Sequence, residues 1–361
     1  MNPDNADLPG FLPSSGFLPS QAFTLSASGH IARCAQLAML LEVSASPKPG
    51  NVDREHDYPE TCFEHFIASS VGVYPALEFA ARSRNGIGAL IKKAVHESSA
   101  WQRGGNTHFG AFLLLIPLAM AAGQIFEKKA SGNVNREEHF LQENLRIAPS
   151  DFELLASQAH TFVQETDSED AVEFYRAFRA AGVRVNSVEE FDLEDPKATE
   201  ELREQNITLY ELMEISRGYD LLANEWTSGF RRCLEGADFI LNFMQPKKGE
   251  SKSGKGSSVG CFGGEINEAV IYAFMKLLSR YRDTFIQTKF DLKTADYVSS
   301  KALEILSFLE GPEPKSRDFS SLIPVIREFD SELLNRKINP GSTADLIIAG
   351  LFIALLGGLR F

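Results

Sequence analysis

Apolar residues recur at intervals of three and four along most of this chain, the spacing that lays them on one face of a helix. Ile31, Cys34, Leu37, Ala38 and Leu41 trace such a face and predict a helix over 31–43. Ser46-Pro47-Lys48-Pro49-Gly50 then stops it, because proline lacks an amide donor and restricts the residue before it. The same periodicity predicts helices over 62–81 and 87–101. Gly104-Gly105-Asn106 interrupts the pattern, and the most apolar helix follows over 111–122. Further helices are expected over 150–165, 168–181, one long stretch 209–244, then 265–281, 293–309 and 320–335. Pro340-Gly341 breaks the chain before a last apolar helix over 346–356. Period-two runs of β-branched residues are scarce, and nothing reads as alternating strand and helix. The pattern predicts an all-α protein, a single compact multi-helix domain with a central apolar helix core. Residues 1–24, rich in Pro, Gly and Ser, read as a flexible N-terminal arm, and 25–361 as the helical domain. Residues 128–143 form a polar insert, and low-complexity 246–260 a mobile one.

Composition narrows the partners. The net charge of −13 opposes nucleic acid, whose backbone would be repelled. Cys34, Cys62, Cys233 and Cys261 lie far apart with no CxxC pair, which suits a reducing compartment rather than a zinc site or a disulfide framework. No basic region precedes an apolar run at the start, so no secretory signal is expected. The apolar stretches 111–122 and 346–356 fall short of the ~18 residues a membrane span requires and read as core. A cytoplasmic protein acting away from membranes is expected, and its apolar helices could support a homodimer.

Three loops could carry chemistry. In the first, Glu42 precedes Pro47-Lys48-Pro49-Gly50-Asn51-Val52-Asp53-Arg54, with His56, Asp57 and Glu64 close behind. Carboxylates there suit a hard cation such as Mg²⁺, and Lys48 could meet a phosphate as a point charge. A helix stop followed by a solvated turn explains the same residues without function. In the second, Gly104-Gly105-Asn106-Thr107-His108-Phe109-Gly110, glycines let a ligand approach the backbone and Asn106 suits an N-cap. The helix start would turn its positive end toward a phosphate, and His108, with an ordinary pKa near neutrality, could move a proton. A capped core helix with a structural histidine is the alternative. The third, Asn339-Pro340-Gly341-Ser342-Thr343-Ala344-Asp345, contains S-x-x-D, so Asp345 could simply complete a capping box with Ser342. Were the second and third helix starts to converge, they would form a polyanion site. Around Arg217-Gly218-Tyr219-Asp220 the apolar residues read as core, and Asp220, Asn224, Thr227 and Arg231 as a polar face, with Glu225 apart from it. Gly249–Gly256 (GESKSGKG) imitates a P-loop, but Gly256 stands where the Mg²⁺-binding hydroxyl belongs and no parallel sheet surrounds it.

The chain resembles the ATP:dephospho-CoA triphosphoribosyltransferase family, also called triphosphoribosyl-dephospho-CoA synthases. The resemblance rests on Glu42 with PKPGNVD at 47–53, GNTHFG at 105–110, Tyr219-Asp220 with Glu225 and Gly229-Phe230, Asp283-Thr284, and NPGSTADL at 339–346, in family order. It implies an all-helical fold and transfer of the 5-triphosphoribosyl group of ATP to a hydroxyl of 3′-dephospho-CoA or a related cofactor precursor, with release of adenine and dependence on Mg²⁺. On these positions the expected catalytic residues are His108, Asp53 and Glu42. Lys48, Gly50, Gly105, Asn106, Thr107, Asp220, Ser342 and Asp345 would bind substrate or phosphate, and Asp53 and Asp57 a metal. The chain departs from the family's wording at Phe109, where members often carry Lys, over 53–66, and by its insertions near 128–143 and 246–260. These departures leave the acceptor open. Two alternatives stand beside the transferase: a nucleotide hydrolase or phosphotransferase in another cofactor pathway of one-carbon or pterin type, and a non-catalytic nucleotide-binding helical protein.

Overall fold

The computed structural model describes residues 26–131, 145–182, 197–245, 265–309 and 319–361. The expected N-terminal arm and the insert at 246–260 lie outside them, as does 132–143 of the polar insert. The helices are α1 (Ala27–Ser44), α2 (Phe63–Gly72), α3 (Tyr74–Ala80), α4 (Ile87–Ser99), α5 (Phe109–Ser131), α6 (Phe152–Gln164), α7 (Ser168–Ala181) and α8 (Ala198–Glu204). They continue as α9 (Leu209–Ser216), α10 (Leu221–Ser228), α11 (Arg231–Met244), α12 (Ile266–Arg280), α13 (Thr284–Lys289), α14 (Leu292–Ser307), α15 (Ile323–Asn335) and α16 (Gly341–Leu356). The described residues contain no strand, only an isolated bridge between Tyr58 and Thr61.

Helices α5 and α16 are apolar on every side and therefore have to be surrounded. Helices α1, α3, α4 and α6 pack on α5, while α1, α11 and α12 pack on α16, and α5 and α16 touch each other. One continuous core results. Helix α5 is longer than its apolar sequence suggested: its 23 residues pass a membrane-span test on length and composition, yet 89% of the apolar window is buried inside the fold. It is a core helix. Pro117 lies within it and cannot donate to the carbonyl four residues back, at Leu113. The buried indole of Trp226 donates its Nε1–H to that carbonyl at 2.8 Å. A defect in the ladder of α5 thus becomes the docking point of α10.

The expected long helix over 209–244 is three helices. Asp220 accepts the amide of Ala223 at 2.7 Å and starts α10. Gly229 and Phe230, both with left-handed φ (78° and 59°), then turn the chain into α11. Glu225 closes this second corner, accepting from the Arg232 side chain at 2.7 Å and the Arg232 amide at 2.9 Å. The helix expected over 62–81 is likewise two, α2 and α3. Helices α8 and α13 were not legible in the periodicity.

Candidate active site

The PKPGNVD loop is held from both ends of the chain. Asn267 of α12 brackets Ser46, accepting its amide at 3.1 Å and donating to its carbonyl at 2.9 Å. Gly50 has φ +73°, and a Cβ there would lie 2.1 Å from the Ile338 carbonyl oxygen, so only glycine lets the loop touch the NPG stretch. Its amide donates to Asp330 at 2.9 Å, and Asn51 donates to Asn339 at 3.1 Å. Gly50 is therefore a packing residue of this loop, buried beneath Ile338.

Within the loop, Lys48 is fully buried and its ammonium lies 2.5 Å from Glu42 Oε1. Burial raises the Glu42 carboxyl, and the neighbouring Lys48 pulls it back only in part. Asp53, also buried, accepts the amides of Glu55 at 2.8 Å, His56 at 3.0 Å and Lys48 at 3.3 Å. Its neighbours are His56 and Asp330, whose donor atoms and its own lie within 4.8 Å of one another and could hold a metal. Asp57, the expected second carboxylate, is exposed and accepts the Phe63 amide at 2.8 Å, outside that group.

The GNTHFG loop behaves partly as its sequence suggests. Asn106 accepts the Phe109 amide at 2.9 Å and caps α5. His108 departs from expectation. It is buried, with Nδ1 2.8 Å from Ser69 Oγ and its ring edge-on to Phe66, while Nε2 has no partner. Burial, reinforced by the nearby charge of Lys48, drives its pKa down to about 3. His108 is therefore neutral near pH 7 and does not titrate there.

Helix α16 brings the tail into the same place. Pro340 precedes it, and no side chain caps it. Ser342 therefore lies inside the helix, and the expected capping box with Asp345 does not form. Instead Asp283, buried at the start of α13, accepts the amide and hydroxyl of Thr343 at 2.7 and 2.8 Å. Burial raises its carboxyl to about 6. Ser342 Oγ lies 3.2 Å from Thr284 Oγ1, which accepts the Leu221 amide at 2.9 Å beside Asp220. Asp345 points at the start of α5. A Cβ on Gly110 would fall 2.0 Å from its Oδ2, and the Ala111 amide donates to the carboxylate. Burial raises Asp345 well above the usual carboxylate range, followed by the charges of Glu42, Asp283 and Asp220. Asp220 is raised by burial as well, so it is no part of a solvated face.

Five stretches scattered from Glu42 to Asp345 thus meet: the starts of α5, α10, α13 and α16 and the PKPGNVD loop. The expected convergence of two helix starts is present. Their amides, however, are largely taken by Asn106, Asp220, Asp283 and Asp345, so the site presents carboxylates. The model of the ATP:dephospho-CoA triphosphoribosyl transferase family matches residues 28–360. The chain belongs to that family. A structure from Archaeoglobus fulgidus, assigned as a triphosphoribosyl-dephospho-CoA synthase, aligns with a TM-score of 0.56 and 28% identity, covering 82% of this chain and 100% of that one. No curated protein matches the chain.

Of the residues in contact with this cluster that the sequence did not single out, Asp330 and Ser69 lie in ordinary helical patterns that give no local signal. Asp283 belongs to a recognised stretch, yet its role needed the contact with Thr343 to show. Thr107 and Gly105, the remaining expected binding residues, lie on the rim of the same loop, partly and fully exposed.

Proposed function

We propose that this chain transfers the 5-triphosphoribosyl group of ATP to a hydroxyl of 3′-dephospho-CoA or a closely related cofactor precursor, releasing adenine in the cytoplasm. One observation carries the reading: stretches of the family's wording far apart in the chain meet in a single acidic, largely buried cluster, in which the Asp345 carboxylate lies against Gly110. The bond that forms joins the acceptor oxygen to ribose C1′, and the bond that breaks joins C1′ to adenine. The proton lost by the hydroxyl ends on adenine, and all three phosphates stay on the transferred sugar.

The chain's residues suit these needs. Glu42 and Asp345, carboxyls whose burial favours the protonated form, would accept the proton of a hydroxyl in the transition state. Positive charge developing on the ribose would be balanced by the same carboxylates, preorganised by Lys48 and the Ala111 amide. Neutral His108, paired with Ser69 through Nδ1, fixes the loop beside Lys48. Asp53, which accepts three backbone amides, also holds the loop in place. Mg²⁺ fits the group Asp53, His56 and Asp330, whose ligand atoms lie within 4.8 Å of one another, and these residues would hold it. Bound there, it would supply charge neutralisation for the triphosphate.

Chromatography of reactions containing ATP, the acceptor and Mg²⁺ tests the reading. Free adenine formed in step with acceptor loss, and abolished by EDTA, is expected. ADP or AMP in place of adenine would replace it with phosphate chemistry.

A further inference from the structure

Beside the GNTHFG loop lies a recess that no carboxylate lines. It is a cavity of about 200 Å³ between the end of α4, residues 102–108, the start of α5 and the end of α7. Arg103 is the one charged residue lining it, and no Asp or Glu does. The Arg103 guanidinium and the Thr107 hydroxyl have no partner among the described residues, whereas Gln102 is occupied in holding the loop through Gly104 and Gly105. His108 also lines the cavity, and its buried Nε2 is unpartnered. The recess therefore collects a cation and polar groups with no anion to satisfy them.

Phe109 is buried against Phe174 and Phe178 of α7, with ring centroids 5.8 and 5.5 Å away. It gives the cavity an apolar wall and can supply no charge. An anion entering between this wall and the loop meets one guanidinium, which binds phosphate oxygens in a planar, two-pronged manner.

We infer that the Arg103 recess is a metal-independent subsite for a phosphoanhydride group of a nucleotide substrate. The inference rests on the transferase reading for its substrate but not for its anion chemistry. Two sources share that chemistry, the triphosphate of ATP and the diphosphate of a nucleotide acceptor. In either case the carboxylates take no part in this contact, and Arg103 grips phosphate oxygens directly.

The test uses the full-length chain, wild type and Arg103→Ala, with Arg103→Lys as the conservative variant. Arg103 is exposed and forms no ion pair among the described residues, so unchanged melting is expected and is checked first. Inorganic pyrophosphate binding is measured without metal by calorimetry. Tryptophan fluorescence supports it, since Trp101, two residues from Arg103, is 82% exposed, whereas Trp226 is fully buried. Loss of one charge-assisted contact is expected to weaken pyrophosphate binding about 10- to 100-fold in Arg103→Ala, with partial recovery in Arg103→Lys. In steady state KM should rise by the same factor for one substrate while kcat stays within about threefold. A rise confined to ATP assigns the triphosphate, and one confined to the acceptor assigns its diphosphate. Pyrophosphate affinity and both KM values equal to wild type would overturn the subsite. Arg103-dependent pyrophosphate binding in a protein that releases no adenine would uphold the subsite and remove the transferase reading.

Discussion

His108 shows how far a residue's chemistry depends on what surrounds it. An exposed imidazole titrates near pH 6.5; here burial beside Lys48 lowers the value to about 3. The folded protein thus refuses a proton that the unfolded chain accepts. The stability this provides is complete above pH 6.5 and is lost as pH falls toward 3, with a slope of about 1.4 kcal/mol per pH unit inside that window. Urea unfolding at pH 6.5, 5.5 and 4.5 should show a flatter acid limb for His108→Gln than for wild type. Equal slopes would mean that the histidine is protonated in the fold. Lys48 and Glu42 are a second case. A local pattern can place a lysine beside a proline turn, but its full burial at 2.5 Å from a carboxylate depends on residues distant in sequence, His108 among them. The prospect of Lys48 as a free phosphate contact ends there, and its charge acts by setting Glu42 and His108.

Among the elements, α5 and α16 were legible because helices apolar on all sides can only be core. The breaks within 209–244 were not. Phe230 adopts a left-handed φ that the sequence does not announce, and apolar positions continue in phase across the turn, so three helices imitate one. The capping alternative for Asp345 fails for a comparable reason: S-x-x-D is a local capping signal, but Pro340 starts α16 too early for Ser342 to act as cap. The close approach of α16 to the start of α5 makes a sharp prediction. Gly110→Ala places a methyl group where the Asp345 carboxylate sits. Displacing a reacting group by about 1 Å costs on the order of 100-fold in rate. Transfer activity should fall by that factor while far-ultraviolet circular dichroism stays unchanged. Activity within twofold of wild type would show that the carboxylate is not part of the chemistry.

For the molecule as a whole, the sequence conveyed the helical class and the identity of the loops, because glycine, proline and capping residues act locally. It could not convey pairings such as Gly50 with Asp330 or Asp283 with Thr343, which join residues far apart in the chain and leave no periodic trace. Those pairings draw five stretches into one acidic cluster, and the chemistry proposed for it follows from their meeting. The decisive measurement is the fate of the terminal phosphate of ATP. With γ-³²P-labelled ATP and the acceptor, the account predicts that label moves onto the acceptor in equal amount to the adenine released, and that Asp345→Asn loses both together. Label appearing as inorganic phosphate or pyrophosphate, with the base still attached to its ribose, would contradict it.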